Sequence, residues 1–117
     1  MLGIVSTLYL IDGELSGRIR CTLDNWSGVA YSVPESRIKE CENIDEFNHG
    51  GVYILLGGTE EGEEIAYIGK ADVRNSGDGL LSRIREKHDQ IESWNRAIVL
   101  TDINNEISPT ESSYLEK

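Results

Sequence analysis

The sequence predicts an α+β fold in two parts: a small antiparallel β element over residues 1–48, then a strand–strand–helix–strand–helix core over 49–117. Three observations carry that expectation. Short β-rich runs separated by turn residues fill the first third of the chain. A glycine-rich break, "NHGG", stands at 48–51. Beyond it, two strand-like runs flank a loop of glycine and acid, and a stretch with helical periodicity follows.

Taken in order, "IVSTLYLI" (4–11) is a β-rich run and "DGELSG" a turn. "RIRCTL" (18–23) alternates apolar Ile19, Cys21 and Leu23 with polar neighbours, as a half-buried strand does. "DNWSG" is a second turn, and "VAYSV" (29–33) is a strand stopped by Pro34, whose ring removes a ladder donor. Residues 35–47, "ESRIKECENIDEF", read as a short helix or an irregular connection. After the break, "VYILL" (52–56) and "IAYIG" (65–69) are strands joined by "GGTEEGEE", which suits a hairpin tip.

Leu80, Leu81, Ile84, His88 and Ile91 recur at helical spacing, so 79–93 is expected to be a helix, with Arg83 beside its apolar stripe. "AIVLT" (97–101) is a further strand. The last helix opens with Ser108 as N-cap, Pro109 at the first helical position and Glu111 three residues after the cap. Barely two turns remain before the chain stops, too short for a helix that is stable alone, so the chain is expected to be cut within or soon after a functional element.

Composition narrows the classes. At 117 residues, with 38% hydrophobic and 27% charged side chains, the chain suits one globular domain, not a disordered segment. No apolar run approaches the ~20 residues needed to cross a bilayer, and the N-terminus lacks the basic region of a signal peptide. Cys21 and Cys41 are too few for a disulfide scaffold, and His49 and His88 make no zinc-like spacing, so a reduced cytoplasmic protein is expected. The net charge of −10 is spread over both halves, which opposes non-specific binding to nucleic acid. A local basic strip, Lys70, Arg74, Arg83, Arg85 and Lys87, stands out against it.

The tripeptides "GVY" (51–53) and "YIG" (67–69), set on a hairpin, resemble the two signatures of the GIY-YIG nuclease superfamily. "YIGKADVR…LLSRIREKH" is similar to the strand, loop and arginine-bearing helix that follow in that family, and "TESSYLEK" to the start of its last helix. "NWSGVAYSVP" resembles the N-terminal β segment of an uncharacterised branch of the same proteins. The resemblance covers residues 51–117. It implies a GIY-YIG-like core, an antiparallel three-stranded sheet with flanking helices, and a divalent-metal-dependent endonuclease that hydrolyses phosphodiester bonds in nucleic acid, DNA in preference to RNA.

By that resemblance Tyr53 is the water activator and Tyr67 its partner in shaping the site. Arg83 falls on the family arginine, and Glu116 on the carboxylate that holds Mg2+ or Mn2+. The chemistry suits these residue types. A glutamate is a hard oxygen ligand for such an ion, which polarises the phosphate and stabilises the departing oxyanion. Arginine presents a planar charged fork to phosphate oxygens. A tyrosine hydroxyl deprotonates water only if its proton is passed on or its pKa, ~10 when unperturbed, is lowered.

Lys70, Arg74 and His88 are second-rank substrate-binding candidates. Lys70 is equally a solvated lysine, and for His88, on an apolar stripe, a packed or locally hydrogen-bonded histidine is the preferred reading over a catalytic one. Trp26 and Tyr31 have the shape to stack on bases, but core or interface packing is the preferred reading. The competing class is a non-catalytic nucleic-acid or protein interaction module on the same core, and the blandest is a domain whose motif residues persist as packing.

Overall fold

Each β-rich run of the sequence becomes a strand, and together the six make one antiparallel sheet. The computed structural model describes residues 6–23, 26–73, 79–86, 88, 91 and 93–103. The strands are β1 (Ser6–Leu10), β2 (Ile19–Leu23), β3 (Gly28–Pro34), β4 (Gly51–Gly58), β5 (Glu64–Ala71) and β6 (Ser93–Asp102). Their spatial order is β1-β2-β3-β6-β4-β5. Two 3-10 segments, Glu35–Asn43 and Asp45–Asn48, lead from β3 to β4, and helix α1 (Leu80–Arg85) stands between β5 and β6.

This architecture corrects the expected fold class. A three-stranded sheet with flanking helices, set behind a separate small β element, is not what forms. β3 pairs with β6 from Gly28↔Asp102 to Pro34↔Arg96, so the N-terminal hairpin and the later strands share one continuous sheet. The reason lies in composition: Val29-Ala30-Tyr31 and Ala97-Ile98-Val99-Leu100 are apolar at successive positions, as suits strands in the middle of a sheet. The helix expected over 79–93 ends at Arg85, because Glu86 is already extended (φ −68°, ψ 155°). The final helix expected from Ser108 lies outside the described residues.

Strand register assigns every side chain to a face, since successive residues alternate. On the first face, Tyr9, Arg20, Tyr31, Val99, Tyr53 and Gly69 form one row across all six strands. The next row runs Val33, Ala97, Leu55 and Tyr67. This face carries the buried core, to which the 3-10 segments add Cys41 and Phe47 and α1 adds Leu80, Leu81 and Ile84. On the second face, Leu10, Ile19, Ser32, Ile98, Ile54 and Ile68 form the matching row. None of these six belongs to the buried cluster.

The first turn is pinned by charge. Arg18 donates from its backbone N–H to Asp12 Oδ2 and from its guanidinium to Asp12 Oδ1, each at 2.8 Å. Those bonds hold the Asp12 carboxyl down at about 2. No described helix is long and apolar enough to cross a membrane.

Candidate functional site

Tyr53 sits in the middle of β4 with its ring buried, only 1% exposed. Its ring lies across β5, and this needs Gly69 directly opposite, since a Cβ on Gly69 would collide with the Tyr53 ring and hydroxyl. The glycine of "YIG" is thus a platform for the Tyr53 ring. No feature of the chain around Gly69 reveals it, because the side chain that demands it is on the neighbouring strand. Gly51 is constrained in the same way: a Cβ there would meet the Leu100 carbonyl.

Tyr67 is two residues before Gly69 and therefore on the same face, diagonal to Tyr53. The two tyrosine rings are 6.3 Å apart between centroids. His88 closes a triangle with them. Its Nε2 lies 3.1 Å from the Tyr53 hydroxyl, and its ring meets Tyr67 edge-on at 4.9 Å. The imidazole is therefore a hydrogen-bond partner and not only packing. It reaches this position from beyond the end of α1, where the apolar spacing of the sequence recorded burial and not continued helix.

Arg83, in α1, borders the same cluster. Burial raises the pKa of Tyr53 and the neighbouring Tyr67 adds to the rise, while the Arg83 guanidinium opposes it. The Tyr53 hydroxyl accordingly keeps its proton unless a partner takes it. Arg83 Nε is buried without a hydrogen-bond partner, and its approach to Glu86 is long, 3.9 Å. A cationic fork with an unsatisfied donor beside two hydroxyl-bearing rings is suited to an anionic oxygen.

The remaining candidates do not join this cluster. Lys70 follows Gly69, so alternation turns it to the second face, opposite Val52 and away from Tyr53 and Tyr67. Arg85 is engaged with Glu42 at 3.0 Å. Arg74, Lys87 and Glu116 lie outside the described residues. Of the basic strip, Arg83 is the described cation at the tyrosines. Among the described residues no three histidine, cysteine or carboxylate groups converge on a point that would hold a metal ion. Trp26 is partly exposed, while Tyr31 is buried, its hydroxyl donating to Glu46 Oε1 at 2.7 Å and accepting from Arg20 Nε at 3.1 Å.

No family model, no curated protein and no solved structure matches the chain.

Proposed function

We propose that the chain is a divalent-metal-dependent endonuclease that hydrolyses phosphodiester bonds in nucleic acid, DNA in preference to RNA, in the cytoplasm. The observation that carries the reading is the Tyr53–His88 hydrogen bond, with Tyr67 and Arg83 beside it on one face of the sheet. The sequence resemblance to GIY-YIG nucleases remains part of the proposal at the level of the site residues, not of the fold.

In this reading the Tyr53 hydroxyl takes a proton from the attacking water while its own passes to His88 Nε2, so that no free phenolate has to form in a buried site. Tyr67 fixes the imidazole ring by edge-on packing. Arg83 binds the phosphate oxygens and matters most as their charge grows. Glu116 is the ligand proposed for Mg2+ or Mn2+, and the described residues offer no cluster to replace it. When bound, such an ion supplies charge stabilisation at the phosphate and at the departing oxygen. Both cysteines are free thiols, which fits a reducing compartment.

The test is cleavage of mixed DNA and RNA substrates with Mg2+ or Mn2+, with Glu116→Ala as the control. The reading expects metal-dependent cutting that vanishes in the control. Cutting that survives Glu116→Ala, or no cutting at all, contradicts it. One observation favours a second reading, a non-catalytic interaction module: within a chain of net charge −10, Lys70 faces away from the tyrosines and Arg85 is paired. Arg83→Ala separates the two, since a catalyst keeps binding and loses turnover whereas a binder loses affinity.

A further inference from the structure

The sheet ends in two edge strands, β1 and β5, and the chain treats them differently. An edge offers unpaired backbone groups to any strand that reaches it, and proteins blunt it with charge, proline or a bulge. β5 carries Glu64 and Lys70 near its two ends. β1, "STLYL", has no charge, no proline and no break in its register with β2. Its Leu8 and Tyr9 are 59% and 63% exposed, and Leu15 and Leu23 of the same hairpin are exposed with them.

The hydrogen-bond phase of β1 follows from one contact. Ile11 donates its N–H to the Arg18 carbonyl at 3.0 Å, one step beyond the Leu10↔Ile19 pair. In an antiparallel ladder such bonded pairs alternate, so Thr7, Tyr9 and Ile11 turn their backbone groups to β2. Ser6, Leu8 and Leu10 turn theirs to the open edge. There the Leu10 carbonyl already accepts from the Gly13 N–H at 3.1 Å. Among the described residues Leu8 keeps both its N–H and its carbonyl without a partner.

We propose that this edge pairs, antiparallel, with the same edge of a second copy about a two-fold axis through Leu8. Register and side chains both select a second copy. Leu8 exchanges two hydrogen bonds with the partner's Leu8, and the Leu10 N–H of each copy donates to the Ser6 carbonyl of the other. An isologous contact brings these bonds in matched sets, and none of them needs the engaged Leu10 carbonyl.

In that register Thr7 stands opposite the partner's Tyr9, a β-branched residue against an aromatic, which is a favoured cross-strand pair. Leu8 meets its own counterpart, so the exposed side chains of the strand cover one another. The chain's net −10 opposes self-association, but β1 contains no carboxylate. The acidity lies away from the strand-to-strand contact, where salt screens it. A contact one strand long, ~17 Å for five residues, is smaller than a standard interface, so the dimer is weak and forms at high concentration.

The experiment combines sedimentation of the full chain, from low micromolar to about 1 mM, with amide hydrogen exchange on the same samples. The expected result is a monomer when dilute and a dimer when concentrated, with exchange at Leu8 slowed about tenfold or more in the dimer. Leu8→Pro is the matched variant. The Leu8 N–H faces away from β2, so the proline ring spares the hairpin ladder and removes one donor from each copy. It is expected to weaken self-association about a hundredfold or more while the circular dichroism stays unchanged. A chain that is monomeric at every concentration overturns the proposal, as does a dimer in which Leu8 exchanges as fast as in the monomer. Equal protection of Leu8 at every dilution means that a single chain holds its own edge, and overturns it too. If Leu8→Pro fails to fold, exchange in the unaltered chain still decides.

Discussion

Tyr31 and Tyr53 occupy one row of one sheet face, separated by Val99, and their surroundings differ in a way that divides structure from chemistry. Tyr31 closes a circuit: its hydroxyl donates to Glu46 and accepts from Arg20, whose Nε is itself 3.7 Å from Glu46 Oε1. Phe47 packs edge-on against the ring at 5.0 Å. Burial first, and the bond to Glu46 second, push this phenol up to about 12. Tyr53 is as deeply buried, but its hydroxyl meets an imidazole, and the guanidinium nearby retains an unpartnered nitrogen. One hydroxyl has its donor and acceptor needs met by an ion pair; the other faces groups that can move a proton and receive an anion. Identical residue type and register therefore do not make identical roles.

The sharpest way to break this comparison is to remove the cation at the Tyr53 end. Arg83→Ala is expected to lower nucleic-acid cleavage by about 100- to 1,000-fold, with binding little changed. Single-turnover rates beside equilibrium binding decide it, and an equal fall in both removes the catalytic reading. Gly69→Ala acts on the same end through sterics. The added Cβ occupies the place of the Tyr53 ring, so a loss of about 1–3 kcal/mol in urea unfolding is expected. The His88 resonances should shift with it. An unaffected midpoint means that the ring does not rest on Gly69.

At the other end, Tyr31→Phe should cost about 1–2 kcal/mol, since Glu46 and Arg20 lose a shared partner in a partly buried place. Its cleavage rate should be unchanged. The smallest effect belongs to the turn beyond that row. The Asp12 carboxyl is held at about 2, below its ordinary 3.8, so its ion pair with Arg18 stabilises the fold fully above about 4 and fades as pH falls towards 2. Asp12→Asn should flatten the acid limb of an unfolding curve over that window and leave neutral-pH cleavage untouched.

How much of this was legible in the sequence differs from element to element. All six strands were, because period-two alternation and β-branched residues locate a strand without reference to its partner. The pairing of β3 with β6 was not, since nothing in either run names its neighbour. The shared face of Tyr53 and Tyr67 needs the register of β4 against β5, and alternation one residue past Gly69 turns Lys70 away from them. There, adjacency along the motif competed with adjacency in space, and space won. His88 was correctly placed on the buried side and incorrectly placed in a helix. A spacing of four records which side is buried, and a chain that leaves the helix at Glu86 can still satisfy it. Gly69 was invisible as a platform because its partner is across the ladder.

The central claim, that the Tyr53 end of the row is chemical and the Tyr31 end structural, is tested most directly by one paired measurement: metal-dependent cleavage by Tyr53→Phe and Tyr31→Phe, each checked for its fold by circular dichroism. The account predicts that Tyr53→Phe remains folded and loses at least about a hundredfold in rate, whereas Tyr31→Phe is less stable and cleaves at the wild-type rate. Cleavage undiminished in Tyr53→Phe, or lost equally in both folded variants, would contradict it.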